Sequence, residues 1–346
     1  SYDYSKIIGY IGDLSEFPDK VFRIPSEING IKLKSIESGA FERMTLTNWE
    51  VVIPETVIEI KRGAFAGDGI SKVNIPSGVK SIGNTAFYDN RISELTIPNT
   101  VVSIGEQAFN RNKLADEQAW IYRRTSTGID YSTIINYGGA KRNNLVIPES
   151  KNGIALKKIG NGTLYGINAT GTIIIPPTVE EIGTKVFCLN QISFVDNGDH
   201  NLVPGFVYGR KSNGNIDYTN IIGFSNMYQS DIVIPSNVKK ISDYGFASTR
   251  TRSITFPEGL ESIGTGAFDA CELGPEITIP STVKSIGTGA FKKEIIYNNF
   301  NSSLAKIVNK TGRKFDWKAI TGGPTEATFE YGTVENWYGN IEVVKG

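Results

Sequence analysis

The side chains most able to do chemistry are few and poorly placed for it. His200 is the only histidine, in the loop DNGDHNLVPG. No cysteine or second histidine stands at metal-ligating spacing from it, and no serine occupies a G-x-S-x-G context. Asp196, Asn197, Asp199 and Asn201 offer oxygen ligands nearby, but the order D-x-[DN]-x-[DN]-G-x5-E of a calcium loop is missing. Gly264-Thr265-Gly266-Ala267 and Gly287-Thr288-Gly289-Ala290 lack the G-x-x-x-x-G-K-[ST] order of a phosphate cradle. They recur at the spacing of a repeat, which marks them as corners. Glu180 and Glu181 adjoin, whereas paired glycosidase carboxylates face one another across roughly 5–9.5 Å. The expectation is a chain with no catalytic residue, no cofactor and no metal site.

Residues suited to binding are better represented. Trp120 and Tyr122 precede Arg123 and Arg124, and Phe206 and Tyr208 precede Arg210 and Lys211. Aromatic and arginine side chains are enriched in protein interfaces. Read as exposed, these eight residues form the candidate binding surface. The competing reading is that the rings seal their segments onto the rest of the fold. A second candidate face is an uncharged column of Thr96, Thr255 and Thr278 with Val146, Ile174 and Val233.

The elements that must position these residues are set by a repeat. Pro54, Pro76 and Pro98 recur every 22 residues, and Phe65, Phe87 and Phe109 recur with them. A period too short for a self-sufficient core means stacked coils, each burying its apolar face on its neighbours. Nine copies are legible, with prolines 25, 54, 76, 98, 148, 176, 235, 257 and 280. The partner slot holds Phe41, Phe65, Phe87, Phe109, Phe187, Phe246, Phe268 and Phe291, with Leu164 once. Triplets such as Leu95-Thr96-Ile97, Ile254-Thr255-Phe256 and Ile277-Thr278-Ile279 alternate as half-buried strands, which proline closes. An inward Val and Ile follow, then a glycine (Gly83, Gly105, Gly183, Gly264, Gly287) where the chain is expected to corner. A short helical turn is expected to carry Ala-Phe. Three residues past Phe stand Asp68, Asn90, Asn112, Asn190, Thr249 and Cys271. These are expected to satisfy the backbone of the turn before the next strand.

Breaks in the period are as informative. Pro98 to Pro148 spans 50 residues and Pro176 to Pro235 spans 59. The extra segments, residues 120–137 and 206–224, resemble each other as strand, polar turn at Gly128 or Gly214, strand: inserted β-hairpins. Asp3–Tyr10 matches the second half of the same element, with Asp3, Asp130 and Asp217 aligned. The higher-order blocks are therefore about 1–117, 118–203 and 204–297, holding four, two and three coils. The first lacks its first hairpin strand, as if the sequence began inside a longer protein. A smaller insert recurs at Asn29-Gly30-Ile31 and Asn152-Gly153-Ile154. Beyond Phe291 the phrase stops, and residues 298–346 read as a β-rich C-terminal cap supplied by Phe315, Trp317, Phe329, Tyr331, Trp337 and Tyr338.

Composition narrows the partners. The 346 residues are 39% hydrophobic, enough for a core, and Lys plus Arg equals Asp plus Glu at 36 each. That balance argues against nucleic acid or a polybasic membrane face. No run of apolar residues is long enough to span a bilayer, and the first residues do not resemble a signal peptide. Cys188 and Cys271 fall in different columns two coils apart, about 10 Å at ~4.8 Å per coil, beyond disulfide reach. Both are expected to be buried thiols.

The phrase L-T-I-P-N-T-V-V-S-I-G-E-Q-A-F resembles the BspA-type, or Treponema-type, leucine-rich repeats of bacterial surface and secreted proteins. It is met nearly in full at Ile75–Phe87, Ile97–Phe109 and Ile279–Phe291, and Cys271, Asn90, Asn112 and Asn190 match its Cys/Asn slot. The resemblance covers roughly Ile24–Phe291. It implies a β-rich repeat solenoid with short parallel strands, placed outside the cell or on its surface, and it carries over no catalytic residue. Some members bind host matrix proteins or mediate adhesion. The expected function is a monomeric protein-binding module, with a host matrix or other cell-surface protein as partner and a glycan as the lesser candidate. A stalk displaying another domain is the structural alternative, and a glycan-active enzyme is the remote one.

Overall fold

A computed structural model describes residues 3–292, 304 and 306–322, and the main chain alone of 333–336 and 339–345. Two compact units divide it: residues 1–142 with 148–167, and residues 143–147 with 168–346. Each is a stack of coils.

In the first unit, Val21–Arg23, Glu50–Val52 and Lys72–Asn74 pair in parallel and in register. A second parallel row comprises Lys6–Ile7, Ser35–Ile36, Glu59–Ile60, Ser81–Ile82 and Ser103–Ile104. The third side of each coil is made of turns. There the Phe amide reaches the alanine carbonyl of the next coil: Phe41 to Ala64, Phe65 to Ala86 and Phe87 to Ala108, each 2.8 Å. These bonds hold the rings of Phe41, Phe65, Phe87 and Phe109 face to face, with centroids 5.1, 5.2 and 5.4 Å apart. That is close to the spacing of paired strands, so one ring per coil fills the core without a gap. In the second unit Phe224, Phe246, Phe268 and Phe291 repeat the ladder at 5.2, 5.2 and 5.4 Å. Phe224 belongs to a hairpin, which thus takes the place of a coil.

Two local expectations change. The Ala-Phe segment is a run of turns, not a helical one. It reverses through a left-handed residue two positions past the glycine column: Gly63, Thr85, Gln107, Lys185, Gly266 and Gly289 have φ of 55–65°. The column glycines that should corner have ordinary φ. They are required by close approach: a Cβ on Gly105 would lie 2.3 Å from the Asn84 amide nitrogen, and one on Gly287 2.4 Å from that of Thr265.

The polar column behaves as expected at Asn90, Asn112, Asn190 and Cys271, whereas the Thr249 hydroxyl meets the side chains of Cys271 and Thr251. Asn90 Oδ1 accepts from the Ile70 amide at 2.9 Å while its Nδ2 donates to the Phe65 carbonyl at 2.7 Å. Asn112 repeats this with Ile92, Phe87 and Phe109, and Asn190 accepts from Ala169 and donates to Phe187. Cys271 Sγ donates to the Phe246 carbonyl at 2.9 Å. All are buried, so each bond removes a main-chain group that would otherwise be stranded away from water. Both cysteines are free and buried.

The inserts are hairpins. Trp120–Thr125 pairs with Gly128–Tyr137, and Phe206–Arg210 with Ile216–Phe224, both antiparallel. Asp130 bends the chain by accepting from the amide and hydroxyl of Ser132, and Asp217 does the same with Thr219. Asp3 accepts likewise from Ser5, and Lys6–Ile7 takes the pairing position of a hairpin's second strand. The small Asn-Gly inserts are two-residue hairpin turns with both φ positive: 52° and 73° at Asn29-Gly30, 52° and 76° at Asn152-Gly153.

After Phe291 the described residues continue the stack. The amides of Gly289 and Phe291 donate to Ala319 and Ile320 of the helix Trp317–Thr321. Lys306–Asn309 pairs in parallel with Glu276–Ile279 and with Gly339–Lys345. Trp317 is buried in the core, with Phe315 packed at its edge. Phe329, Tyr331, Trp337 and Tyr338, expected in the same cover, lie outside the described residues.

Candidate binding clefts beside the two hairpins

The first hairpin is bolted to its stack by polar contacts where the Phe rhythm is interrupted. In the first unit the Phe109 amide has no next-coil alanine to meet, and Asn136 Oδ1 accepts it at 3.2 Å. Asn110 Oδ1 returns the favour to the Tyr137 amide at 3.2 Å and its Nδ2 donates to the Gly162 carbonyl at 3.1 Å. Both asparagines are fully buried. In the second unit the matching positions are Cys188 and Gly223, and the Cys188 thiol points at the Tyr244 carbonyl at 4.0 Å.

This seating decides where the candidate residues lie. Tyr122, Phe206 and Tyr208 are buried, 4–8% exposed, and Trp120 is half-buried. The expectation of exposed aromatics is therefore wrong for three of the four. The reason is that the hairpin occupies a coil's place, so its inward side chains inherit core slots. Phe206 packs against Phe224 at 5.2 Å, and Trp120 against Tyr137 at 4.5 Å. Tyr122 stands edge-on to Tyr131 at 5.3 Å and Tyr208 to Tyr218 at 4.9 Å. Burial raises the pKa of both Tyr122 and Tyr208 above the ordinary phenol value.

The cations divide. Arg123 is exposed and paired with Asp130 at 2.7 Å. Lys211 is exposed at the other hairpin's tip. Arg124 is half-buried, which lowers its pKa, and donates to the Pro98 carbonyl at 2.9 Å. Arg210 donates to the carbonyls of Val179 at 3.0 Å and Asn197 at 2.6 Å. Its guanidinium positions main chain instead of presenting charge.

Beside each hairpin, within its own unit, lies a cleft. The first, about 160 Å³, is lined by Leu95, Ile97, Gln118, Trp120, Ile121, Tyr122, Arg124, Ile129 and Tyr131. It is predominantly apolar, with half-buried rings and branched side chains at its mouth. The second, about 360 Å³, is lined by Pro177, Asn197, Gly198, Asp199, Arg210, Gly214, Asn215, Ile216 and Tyr218. It is polar. The Tyr218 hydroxyl donates to Asp199, and burial together with that bond pushes its pKa to about 12. Asp196, in the loop floor, accepts from the amides of Gly198 and His200. The oxygen-rich loop is thus held by its own main chain. Leu95 and Ile97 were read in the sequence only as strand residues, and Ile129 and Tyr131 were not singled out, although the alignment of the hairpins pairs Tyr131 with Tyr218. The uncharged column is partly solvent-facing as expected: Val146 is 60% and Val233 70% exposed.

The repeat is matched in known proteins. The BspA type leucine rich repeat region aligns in six copies with residues 17–128, 137–201 and 220–321. Solved structures similar to this chain include a leucine-rich repeat protein from Eubacterium ventriosum, 20% identical over 85% of this chain and 68% of that one, with a TM-score of 0.44. A leucine rich cell surface protein from Faecalibacterium prausnitzii is 19% identical over 94% of each chain, with a TM-score of 0.39. The pneumococcal vaccine antigen PcpA is 17% identical over 84% of this chain and 72% of its own, with a TM-score of 0.38. No curated protein matches significantly. With the family's repeat aligned over most of its length, this chain belongs to the BspA-type leucine-rich repeat proteins.

Proposed function

We propose that the chain is a non-catalytic binding module, displayed at or beyond the bacterial cell surface, that engages a protein partner at the cleft beside the first hairpin. The observation that carries the reading is the half-open apolar surface of Leu95, Ile97, Trp120, Ile129 and Tyr131, with Arg124 at its side. Apolar and aromatic groups left partly wet next to an arginine are the composition of interface centres. A host matrix protein or another cell-surface protein fits it better than a glycan, because few polar groups line the cleft. Membership of a family of bacterial surface proteins supports the location.

The test is a solid-phase screen of matrix proteins and glycans against the full chain, repeated with Trp120→Ala, Tyr131→Ala and Arg124→Ala. A protein ligand whose affinity falls at least about tenfold in the aromatic variants, some 1.4 kcal/mol, is the expected result. Ligands bound equally by all variants would place the surface elsewhere. A panel with no ligand at all would favour a spacer.

A further inference from the structure

One strand of the first unit has been peeled from its sheet. The parallel row of Val21–Arg23, Glu50–Val52 and Lys72–Asn74 ends there, although the next coil repeats the phrase as Glu94-Leu95-Thr96. In the regular pattern an isoleucine amide donates to the next coil's carbonyl, as Ile24 does to Val52 at 3.1 Å and Ile234 to Thr255 at 3.0 Å. Ile53 instead donates to Asn74 Oδ1 at 2.9 Å, and Asn74 Nδ2 donates back to the Ile53 carbonyl at 3.2 Å. There a side chain has replaced the main chain, in the last coil of the row that still pairs.

Beyond that coil lies a bare stretch of backbone. From Ser93 to Ile97 one main-chain group has a hydrogen-bond partner among the described residues: the Leu95 amide, held by Gln118 Oε1 at 3.3 Å. The stretch still alternates like a strand, with Leu95 and Ile97 half-buried on the core and Glu94 and Thr96 exposed. Gln118 on the Leu95 amide at its middle and Arg124 on the Pro98 carbonyl just past its end pin it beside the first hairpin. Between those pins lies the apolar cleft of about 160 Å³, comparable with the ~150 Å³ cavity that admits a benzene ring.

Two features therefore coincide: a row of unpaired N–H and C=O groups and a pocket sized for one ring or branched side chain. A bare edge is a template for another strand, and side-chain pockets beside it give such pairing its specificity. Neither a glycan nor a small apolar molecule offers donors and acceptors at strand spacing. We propose that Ser93–Ile97 is a docking edge for an extended strand of the partner polypeptide, which hydrogen-bonds along the bare main chain and sets one aromatic or branched aliphatic side chain into the cleft. This rests on the protein-binding reading above and specifies how the partner is held.

The experiment begins by panning linear phage-displayed peptides on the full chain. One enriched peptide is synthesised with each amide N-methylated in turn, and hydrogen exchange is measured on the complex. Strand addition uses every second amide of the peptide. Methylation in one register should weaken binding at least about tenfold, the loss of roughly one good hydrogen bond, while the other register binds as before. Amides among Glu94, Thr96 and Ile97 should exchange freely in the unbound chain and slow at least about tenfold in the complex. Binding indifferent to methylation, or amides that stay unprotected, overturns the proposal. So does a second copy of the chain, detected as a dimer by light scattering, protecting the same amides. A matrix protein that needs Trp120 and Tyr131 but leaves these amides exchanging overturns strand addition while keeping the protein-binding function. A ligand indifferent to those two rings removes the function itself.

Discussion

Asp68 accepts the Met44 amide at 2.5 Å through one carboxylate oxygen, while its other oxygen is buried and meets no donor. It occupies the slot where Asn90 and Asn112 donate an amide to a phenylalanine carbonyl. Burial is the main cause that raises its pKa from 3.8 to about 7, with Glu42 adding to it. A proton on the second oxygen would supply the donor that asparagine carries. The folded state therefore favours the acid form. The stabilisation it brings is fully present below the unfolded value of 3.8 and is lost as pH rises toward and through 7.

Asp68→Asn should be more stable than the parent above neutrality, by about 1–3 kcal/mol for one satisfied buried group. The difference should shrink as pH falls from 8 to 5. Urea titrations of both chains across that range measure it. Equal parent and variant stabilities at every pH would mean that Asp68 is ionised and satisfied in the fold.

The clamp at the first hairpin predicts coupling. Asn110 and Asn136 each receive the amide next to the other, Tyr137 and Phe109 respectively. Replacing either by Ala strands buried main-chain groups at a cost of about 1–3 kcal/mol each. Because one hairpin seat is shared, a double-mutant cycle should give an interaction energy of about 0.5–3 kcal/mol. Strict additivity would show that the two asparagines act independently.

The thiols should be silent. Cys188 and Cys271 are free, buried, and pushed by burial to a pKa of about 12. Since the thiolate is the reactive species, a chromogenic disulfide at pH 8 should label neither cysteine in the native chain. Both should react on unfolding in denaturant. Labelling of either in the native chain would show that its coil opens.

Stability and surface roles should separate along one hairpin. Tyr208 is buried against Tyr218 whereas Lys211 is exposed. Tyr208→Ala should cost about 3 kcal/mol or more, like other large core truncations, and Tyr122→Ala should do likewise in the first unit. Lys211→Ala and Arg123→Ala should stay within about 0.5 kcal/mol, as exposed charges do. Thermal melts distinguish the cases, and a mild Tyr208→Ala would return that ring to the surface.

Much of this architecture was legible in the one-dimensional chain because a period states the same physical problem many times. The Phe slot, the proline after each strand, the Asn-Gly turns and the Asn/Cys column are local demands of a coil. Each recurs with the residue type that meets it. The two hairpins were legible for the same reason, being copies of one another. The glycine column was found correctly, but its cause was not. Ordinary φ and a neighbouring backbone 2.3 Å from a would-be Cβ at Gly105 depend on the adjacent coil, which no local reading contains.

What only the tertiary structure decided lies where copies meet something unlike themselves. Leu95-Thr96-Ile97 has the same alternation as its paired relatives, yet the row ends one coil before it, at Lys72–Asn74. Tyr122, Phe206 and Tyr208 could be surface rings or seals by sequence, and they are seals because the hairpins fill coil positions. Residue type and spacing therefore determined which groups each coil must bury and satisfy. Which strand lost its partner, and which rings went inside, depended on long-range pairing, where one side-chain amide can substitute for a main-chain bond.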